Sequence, residues 1–421
     1  MTILSNTPMS NTSLGSNTSP SKTGMPEPSL EAQNYSKQLL GKIAAEIADS
    51  HGWIDFATYM NLALYAPNLG YYSGGAQKFG QYGDFVTAPE LGVVYQSDKK
   101  SSGSYRPSLF AQTLANQVAP VIVETRADIL ELGAGTGRLA LDLLLTLQQR
   151  EELPERYFIL EVSAHLRAMQ RETMQKMLSD DVFSRVTWLD TLPEAFSGLI
   201  LGNEVLDALP VHIVKNTDSG LVEVGVSQKI DGQLIYREQA LTNGLLADQV
   251  NELNLPVGYM TEICPLASGL VASLANILQQ GVILLIDYGF TRQEYYHAHR
   301  SEGTLMCHYR HYAHSDPLVY VGLQDITAHV DFTRVALAGL ENGLDCKGFN
   351  SQAQFLINCG ITECLTQISP NDLAIYAPMA SQAQKLLSPA EMGELFKVIA
   401  FSKQFTSPLL GFQQGDKRHT L

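Results

Sequence analysis

The sequence predicts an α/β fold, a largely parallel sheet with helices on both faces. Three observations carry that expectation. Short, nearly continuous apolar runs at residues 129–132, 157–160, 199–201 and 282–286 alternate with stretches of helical spacing, the pattern of strands buried on both sides and joined by crossover helices. The first run passes directly into a turn with glycines at 133, 135 and 137. The chain has 421 residues, 45% of them hydrophobic, and a mean hydropathy of −0.03. Those figures describe a soluble globular protein, long enough for one large domain or two ordinary ones.

Residues 1–28 are dominated by Ser, Asn, Thr and Pro and show no apolar period, which reads as a disordered tail. The tail has neither the apolar centre of a secretory signal nor the arginines of a transit peptide. Ordered chain is expected to begin with a helix near residues 29–50. Beyond it, Tyr65-Ala66-Pro67-Asn68-Leu69-Gly70-Tyr71-Tyr72 and residues 80–90 interleave glycine and proline with aromatics. A loop this long and aromatic covers something; it is either a lid over a ligand or a well-packed irregular connection. Residues 96–108 are polar and read as an exposed insertion.

The stretch Ile129-Leu130-Glu131-Leu132-Gly133-Ala134-Gly135-Thr136-Gly137-Arg138-Leu139 is a strand, a glycine turn and the start of a helix. Its glycines let the backbone turn sharply and lie against a ligand. A dinucleotide fingerprint needs a third small residue at position 138, where this chain has Arg138. The pattern is instead E-x-G-x-G-x-G, with the Glu131 carboxylate two residues before Gly133. A carboxylate there suits a ligand with a cationic end. S-adenosylmethionine (SAM) has one, an ammonium beside a sulfonium, and has no pyrophosphate to rest on a helix N-terminus. The alternative is a strand-to-helix turn that needs glycine only for packing.

The next strand ends in Glu161, placed to accept hydrogen bonds from ribose hydroxyls. It equally suits the N-terminus of the following helix, and both roles can hold together. A third strand, residues 186–189, ends in Asp190, which could contact an adenine amino group or be a solvated turn residue. A fourth, near residues 198–202, leads into Asn203-Glu204-Val205-Leu206-Asp207-Ala208-Leu209-Pro210, and Val282-Ile283-Leu284-Leu285-Ile286 is a fifth.

Net charge is −15 and the pI about 5.1. Nucleic acid is therefore not an expected partner, whereas a basic protein is compatible. No apolar run reaches the roughly 18 residues of a membrane span, so membrane insertion is not expected. The five cysteines are scattered, with no C-x-x-C spacing, and read as reduced thiols of a cytoplasmic protein.

The chain resembles the MidA family of SAM-dependent methyltransferases, whose mitochondrial members assist assembly of respiratory complex I. The resemblance runs from about residue 39 to residue 403. Its most particular pieces are Gly70-Tyr71-Tyr72, Gly83-Asp84-Phe85-Val86-Thr87-Ala88-Pro89-Glu90, the glycine turn, and Asn203 to His212. Further on come Ile286-Asp287-Tyr288-Gly289, Gly303-Thr304-Leu305, Asp325-Ile326-Thr327-Ala328-His329-Val330-Asp331-Phe332 and Met392-Gly393-Glu394-Leu395-Phe396-Lys397-Val398. Residues 96–108 depart from the family pattern. The resemblance implies a class I methyltransferase fold, a Rossmann-like seven-stranded sheet whose last strand is antiparallel. An N-terminal lid and C-terminal helical segments are added to it. It also implies methylation of a protein arginine, the acceptor being a respiratory complex I subunit or a similar protein. A small-molecule acceptor and a non-catalytic assembly factor are the alternatives, and a homodimer is among the expectations.

The residues suit that chemistry. A guanidinium is a poor nucleophile because its charge is delocalised, and a paired carboxylate draws that charge to one side. Glu204, just past the fourth strand, is the expected guanidinium ligand. Asp207 supports it if a helix begins at residue 205; the alternative is that Asp207 only caps a helix. Asn203 holds the cofactor or the loop. Glu131, Gly133, Gly135, Gly137, Glu161 and Asp190 complete the expected cofactor set. Six of the ten histidines fall between His297 and His329 without a usual zinc spacing, and no metal is expected. His329 could pair with Glu204 or take up a proton, or be a satisfied histidine of a strand or turn. The helical spacing after residue 336 suggests a C-terminal segment packed on the core. The expected division is a tail (1–28), an N-terminal helix and lid segment (29–120), a SAM-binding core (121–335) and a C-terminal helical segment (336–421).

Overall fold

The computed structural model describes residues 24–74, 87–91, 105–125 and 127–421. Of the expected tail only residues 24–28 fall within it, and there Met25 is buried. Helix α1 (Leu30–Asp49) begins where the Ser29 hydroxyl accepts the Ala32 N–H, an N-cap. It buries Leu39, Ile43 and Ile47, one face at four-residue spacing. Helix α2 (Phe56–Tyr65) is capped likewise by Asp55, which accepts the Thr58 N–H at 2.8 Å. Helix α3 (Leu109–Thr125) is apolar almost all round and is buried between α4 (Arg138–Gln149), the main sheet and the C-terminal helices.

The main sheet is the expected one. Its strands are β1 (Asp128–Leu132), β2 (Tyr157–Leu160), β3 (Val186–Leu189), β4 (Phe196–Asn203), β5 (Leu278–Phe290), β6 (Asp345–Ser351) and β7 (Phe396–Lys403). Their order is β6-β7-β5-β4-β1-β2-β3. Strands β5, β4, β1, β2 and β3 pair in parallel, and only β7 runs antiparallel to its neighbours. All five residues of β1 are buried, as a strand covered on both faces requires. Helix α5 (Ala164–Met177) follows β2, α6 (Pro265–Ile277) precedes β5, α7 (Phe332–Glu341) precedes β6, and α8 (Leu373–Leu387) precedes β7.

Residues between β4 and β6 build what the sequence did not suggest. The segments His212–Thr217, Gly220–Gln228, Leu234–Ala240 and Met260–Ile263, with the short Ile54–Asp55, form an antiparallel five-stranded sheet. A three-stranded sheet of Met306–Tyr309, Tyr312–His314 and Asp325–Thr327 lies beside it. One apolar cluster joins α1 and α2 to both small sheets through Phe56, Tyr59, Val226 and Ile326.

The divisions drawn at residues 120 and 335 are therefore corrected. Helices α1 and α2 belong with the accessory sheets, while α3 belongs with the main sheet. The C-terminal segment is not wholly helical, because it supplies β6 and the antiparallel strand β7, which is buried from Phe396 to Ser402. The expected exposed insertion lies outside the described residues up to residue 104. Its end is not exposed, since the Ser108 N–H donates to the buried Asp142 carboxylate at 2.7 Å.

Candidate active site

A cavity of about 530 Å³ opens at the carboxyl ends of β1, β2 and β4, where a parallel sheet offers its ligand crevice. Among the described residues six carboxylates line it, Glu90, Glu131, Glu161, Glu204, Asp207 and Asp325, with one cation, Arg138.

The glycine turn forms its floor. Gly135 has φ +55°, a conformation side chains rarely adopt, and the direction of its missing Cβ meets no protein atom within 4 Å. The space belongs to whatever fills the cavity. Gly133 also lines it, but Gly137 does not. A Cβ at Gly137 would lie 3.0 Å from Gln170 Cγ and 3.1 Å from Met174 Cε, so the third glycine serves the approach of α5. Glu131 is buried, and the Tyr157 hydroxyl donates to it at 2.7 Å. Burial, with Glu161 nearby, pushes its pKa up to about 7. A buried carboxylate at the cavity wall, with no cation beside it among the described residues, suits an ammonium. Glu161 follows β2, and its Oε1 accepts the Ser163 N–H at 2.9 Å ahead of α5. The second oxygen accepts from Gln170 at 3.2 Å. The floor therefore fits SAM: Glu131 would meet its ammonium and Glu161 its ribose, while the lining cation Arg138 is already paired with the buried Asp142 at 3.1 Å.

Asn203 and Glu204 end β4. The Asn203 amide donates to Glu204 Oε1 at 3.1 Å, and its own Oδ1 is buried with no partner among the described residues. Glu204 takes φ +55°, a strained backbone for a glutamate. Its carboxyl is pushed up to about 8 by burial, then by Asp207 and Glu90. No helix begins at residue 205; residues 204–209 are a loop. What holds that loop is Asp287, at the carboxyl end of β5. Its Oδ2 accepts three successive backbone N–H groups, from Val205, Leu206 and Asp207, at 3.1, 2.8 and 3.3 Å. Asp207 nevertheless faces the cavity, supported by the Tyr288 hydroxyl, and burial raises its pKa to about 6.

The aromatic segment reaches the site too. Tyr65 and Tyr72 stack with centroids 5.4 Å apart and line the cavity. The Tyr72 hydroxyl donates to Asp325 Oδ1 at 2.9 Å, and Ala88 N–H lies 3.4 Å from Glu204 Oε1. Residues 75–86 of the expected lid lie outside the described residues.

Two expected site residues are not brought here. The exposed Asp190 carboxylate pairs with Arg167 of α5 at 2.7 Å. Arg167 also binds the carbonyls of Glu161 and Leu189, so this acid is drawn to the outside of the strand ends. His329 does not line the cavity. Its ring stacks on Phe290 at 5.1 Å and meets Tyr288 edge-on. Burial, then Arg300 and Lys397, lower its pKa to about 4, which makes it a weak base, and it lies outside the cavity. Among the described residues one group of three potential metal ligands occurs, Asp55, His212 and Glu223. It lies on the accessory sheet, where Asp55 caps α2 and His212 binds Glu223 at 2.6 Å. From sequence Tyr65, Tyr72 and Glu90 belong only to a possible lid, and Asp287 and Asp325 have no individual role. The signal for Asp287 was the one used for Glu161, an acid at a strand's carboxyl end.

The profile of a family described as "Putative S-adenosyl-L-methionine-dependent methyltransferase" matches residues 110–350. The chain belongs to this methyltransferase family. It is similar to a superfamily member from Burkholderia thailandensis crystallised with S-adenosyl-homocysteine. The two are 45% identical over 94% of this chain and 100% of that one, with a TM-score of 0.88. Among curated relatives, "Protein arginine methyltransferase NDUFAF7, mitochondrial" of Danio rerio is 28% identical, covering 88% of each chain. The Drosophila melanogaster homologue is 29% identical over 89% of this chain and 87% of its own. The methyltransferase uses SAM as its methyl donor.

The cytoplasmic expectation is overturned, since the curated relatives are named as mitochondrial proteins. Its physical basis was weak: five free cysteines report a reducing compartment and do not say which one.

Proposed function

We propose that this methyltransferase acts on a protein arginine, with the guanidinium held by Glu204 and Asp207. The observation that carries the reading is the acidity of the cavity, whose described lining holds six carboxyl groups and one cation. Glu131 and Glu161 are taken up by the cofactor; of the remaining four, Asp207 and Asp325 lie beside Tyr65 and Tyr72, and Glu90 and Asp207 lie beside Glu204. A neutral small acceptor gives no reason to bury so many acids together, whereas a planar cation with five donors does. The names of the curated relatives support the same acceptor, and a respiratory complex I subunit is the first substrate to test.

When bound, SAM supplies a methyl group made electrophilic by its sulfonium. The chain aligns the acceptor and keeps water out. Glu204 grips one edge of the guanidinium, concentrates positive charge there and leaves the far nitrogen better able to attack. A nitrogen–carbon bond forms as the sulfur–carbon bond breaks, and the nitrogen gives up a proton. Asp207, with its raised pKa and the Tyr288 hydroxyl beside it, is the group placed to receive that proton. Tyr72 holds Asp325 as an outer wall for the cation.

The test is transfer of isotope-labelled methyl from SAM into proteins of the source cell's extract, with the site found by mass spectrometry. Label on an arginine is the expected result. Label confined to small molecules would replace this reading with a small-molecule acceptor, and no label from a SAM-binding protein would favour an assembly factor.

The cofactor half carries a pH prediction. Glu131 has a folded pKa near 7, above its unfolded value of 4.5. Its contribution to the stability of the ligand-free protein is full below that unfolded value and is lost as pH rises through 7. An ammonium pairs only with the ionised form. Affinity for S-adenosylhomocysteine (SAH) should therefore rise by up to about tenfold per pH unit between 5 and 7, with release of a proton. Calorimetry in buffers of different ionisation enthalpy reads both. Glu131→Gln should flatten the profile; a profile unchanged by that variant would remove Glu131 from the ammonium site.

A further inference from the structure

Gln170 is fully buried on the inner side of α5 and does not line the cavity. Its amide nevertheless makes three hydrogen bonds to three different elements. Oε1 accepts the indole N–H of Trp188, on β3, at 2.8 Å. Nε2 donates to the carbonyl of Gly135, in the glycine turn, at 2.8 Å, and to Glu161 Oε2, after β2, at 3.2 Å. The indole nitrogen can only donate. It therefore fixes which end of the amide is oxygen, and both N–H groups are turned toward the cofactor's floor and wall.

We propose that Gln170 is a positioning residue for the cofactor, a strut that locks the glycine turn to the ribose-binding carboxylate from behind. Each oxygen of Glu161 is pinned from the protein side, Oε1 by the Ser163 N–H and Oε2 by Gln170. The lone pairs left over face the cavity, and the carboxylate waits in one orientation for the two ribose hydroxyls. Such an arrangement is preorganised: no ordering cost falls due when the ligand arrives. The third glycine of the turn belongs to the same device. With no Cβ at Gly137, the Gln170 stem comes within 3.0 Å of where that atom would be. Gly137 lets α5 close on the turn; Gln170 uses that closeness to reach Gly135 and Glu161.

The inference rests on the placement of the ribose at Glu161 given above, and the experiment separates the two. SAH and its 2′,3′-dideoxy analogue are titrated calorimetrically into the full-length protein and into Gln170→Met, which keeps the volume and removes the three hydrogen bonds. The wild-type protein should prefer SAH. Gln170→Met should bind SAH about tenfold more weakly, the loss of one hydrogen bond to a charged group, while its affinity for the analogue changes little. Gln170→Glu, which sets a carboxylate against Glu161, should lose more and recover part of the loss below pH 6. Trp188→Phe, which leaves the amide in place but frees it to flip, should show a smaller loss of the same kind. Gln170→Met losing both ligands equally, or keeping the wild-type preference, would make Gln170 a packing residue and overturn the proposal. If that variant does not fold, Trp188→Phe decides alone, and an undiminished preference there overturns it. A wild-type protein indifferent to the hydroxyls would instead overturn the ribose placement, and the strut with it.

Discussion

Glu204→Gln should lower methyl transfer by about 10²–10³-fold, the usual loss for one preorganised electrostatic group, while SAH binds as before. The substitution keeps the shape of the side chain. The Asn203 amide and the Ala88 N–H approach the same oxygen, Oε1, and a glutamine oxygen there accepts from both. The left-handed backbone at φ +55° is held from elsewhere, by Asp287 on the following N–H groups and by the Glu204 N–H donating to Ile286 at 2.9 Å. Only the charge changes, and with it the face shown to the acceptor: an NH₂ group would point donors at a guanidinium that has only donors. The loss should appear in kcat as well as KM, because the polarisation of the guanidinium goes with the grip on it. Single-turnover transfer to an arginine peptide, beside SAH calorimetry, separates the two. Unimpaired transfer would take the acceptor role away from Glu204.

The parts of this site that were legible in the sequence are those one short segment builds by itself. The run from Glu131 to Gly137 contains its own strand, turn and helix start, so the carboxylate and the glycines could be placed from spacing alone. Glu161 and Glu204 were legible because a parallel strand ends where its ligand crevice begins. The same argument misplaced Asp190. An acid past a strand end is free to turn either way, and Arg167, reaching over from α5, draws it outward. His329 failed for a related reason. Its segment does dock on the loop after β4, through Ala328 N–H to Asp207 O at 3.0 Å. The ring itself, however, lies between Phe290 and Tyr288, contacts that only the folded β5 supplies. Asp287 and Asp325 lie 197 and 235 residues beyond Glu90, and no local pattern announces that the three come near one site. The accessory sheet was missed because its strands alternate around polar residues such as Lys215, Glu223 and Arg237; the antiparallel last strand was implied by the resemblance, but its residues 396–403 lie in the segment expected to be helical.

Gly135→Val should abolish SAH binding and leave the protein folded. The reason lies in what surrounds the missing Cβ. At Gly135 an added Cβ meets no protein atom within 4 Å, so the valine methyls would project into the cavity and occupy the cofactor's volume. The cost to the fold is the strain of a β-branched residue at φ +55°, roughly 1–2 kcal/mol, which a domain with so extensive a core absorbs. Gly137→Val should behave in the opposite way. Its Cβ would press on Gln170 and Met174 at 3.0 and 3.1 Å, so the melting temperature should fall before any direct block of the ligand is felt. Thermal melts and SAH calorimetry on the two variants make a crossed comparison: one loses binding at near-normal stability, the other loses stability first. Normal SAH affinity in a folded Gly135→Val protein would mean that the cofactor does not lie on this turn, and the assignments of Glu131 and Glu161 would fall with it. A Gly135→Val protein that fails to fold would contradict the open space seen at that position, because none of the described residues stands in the way of the side chain.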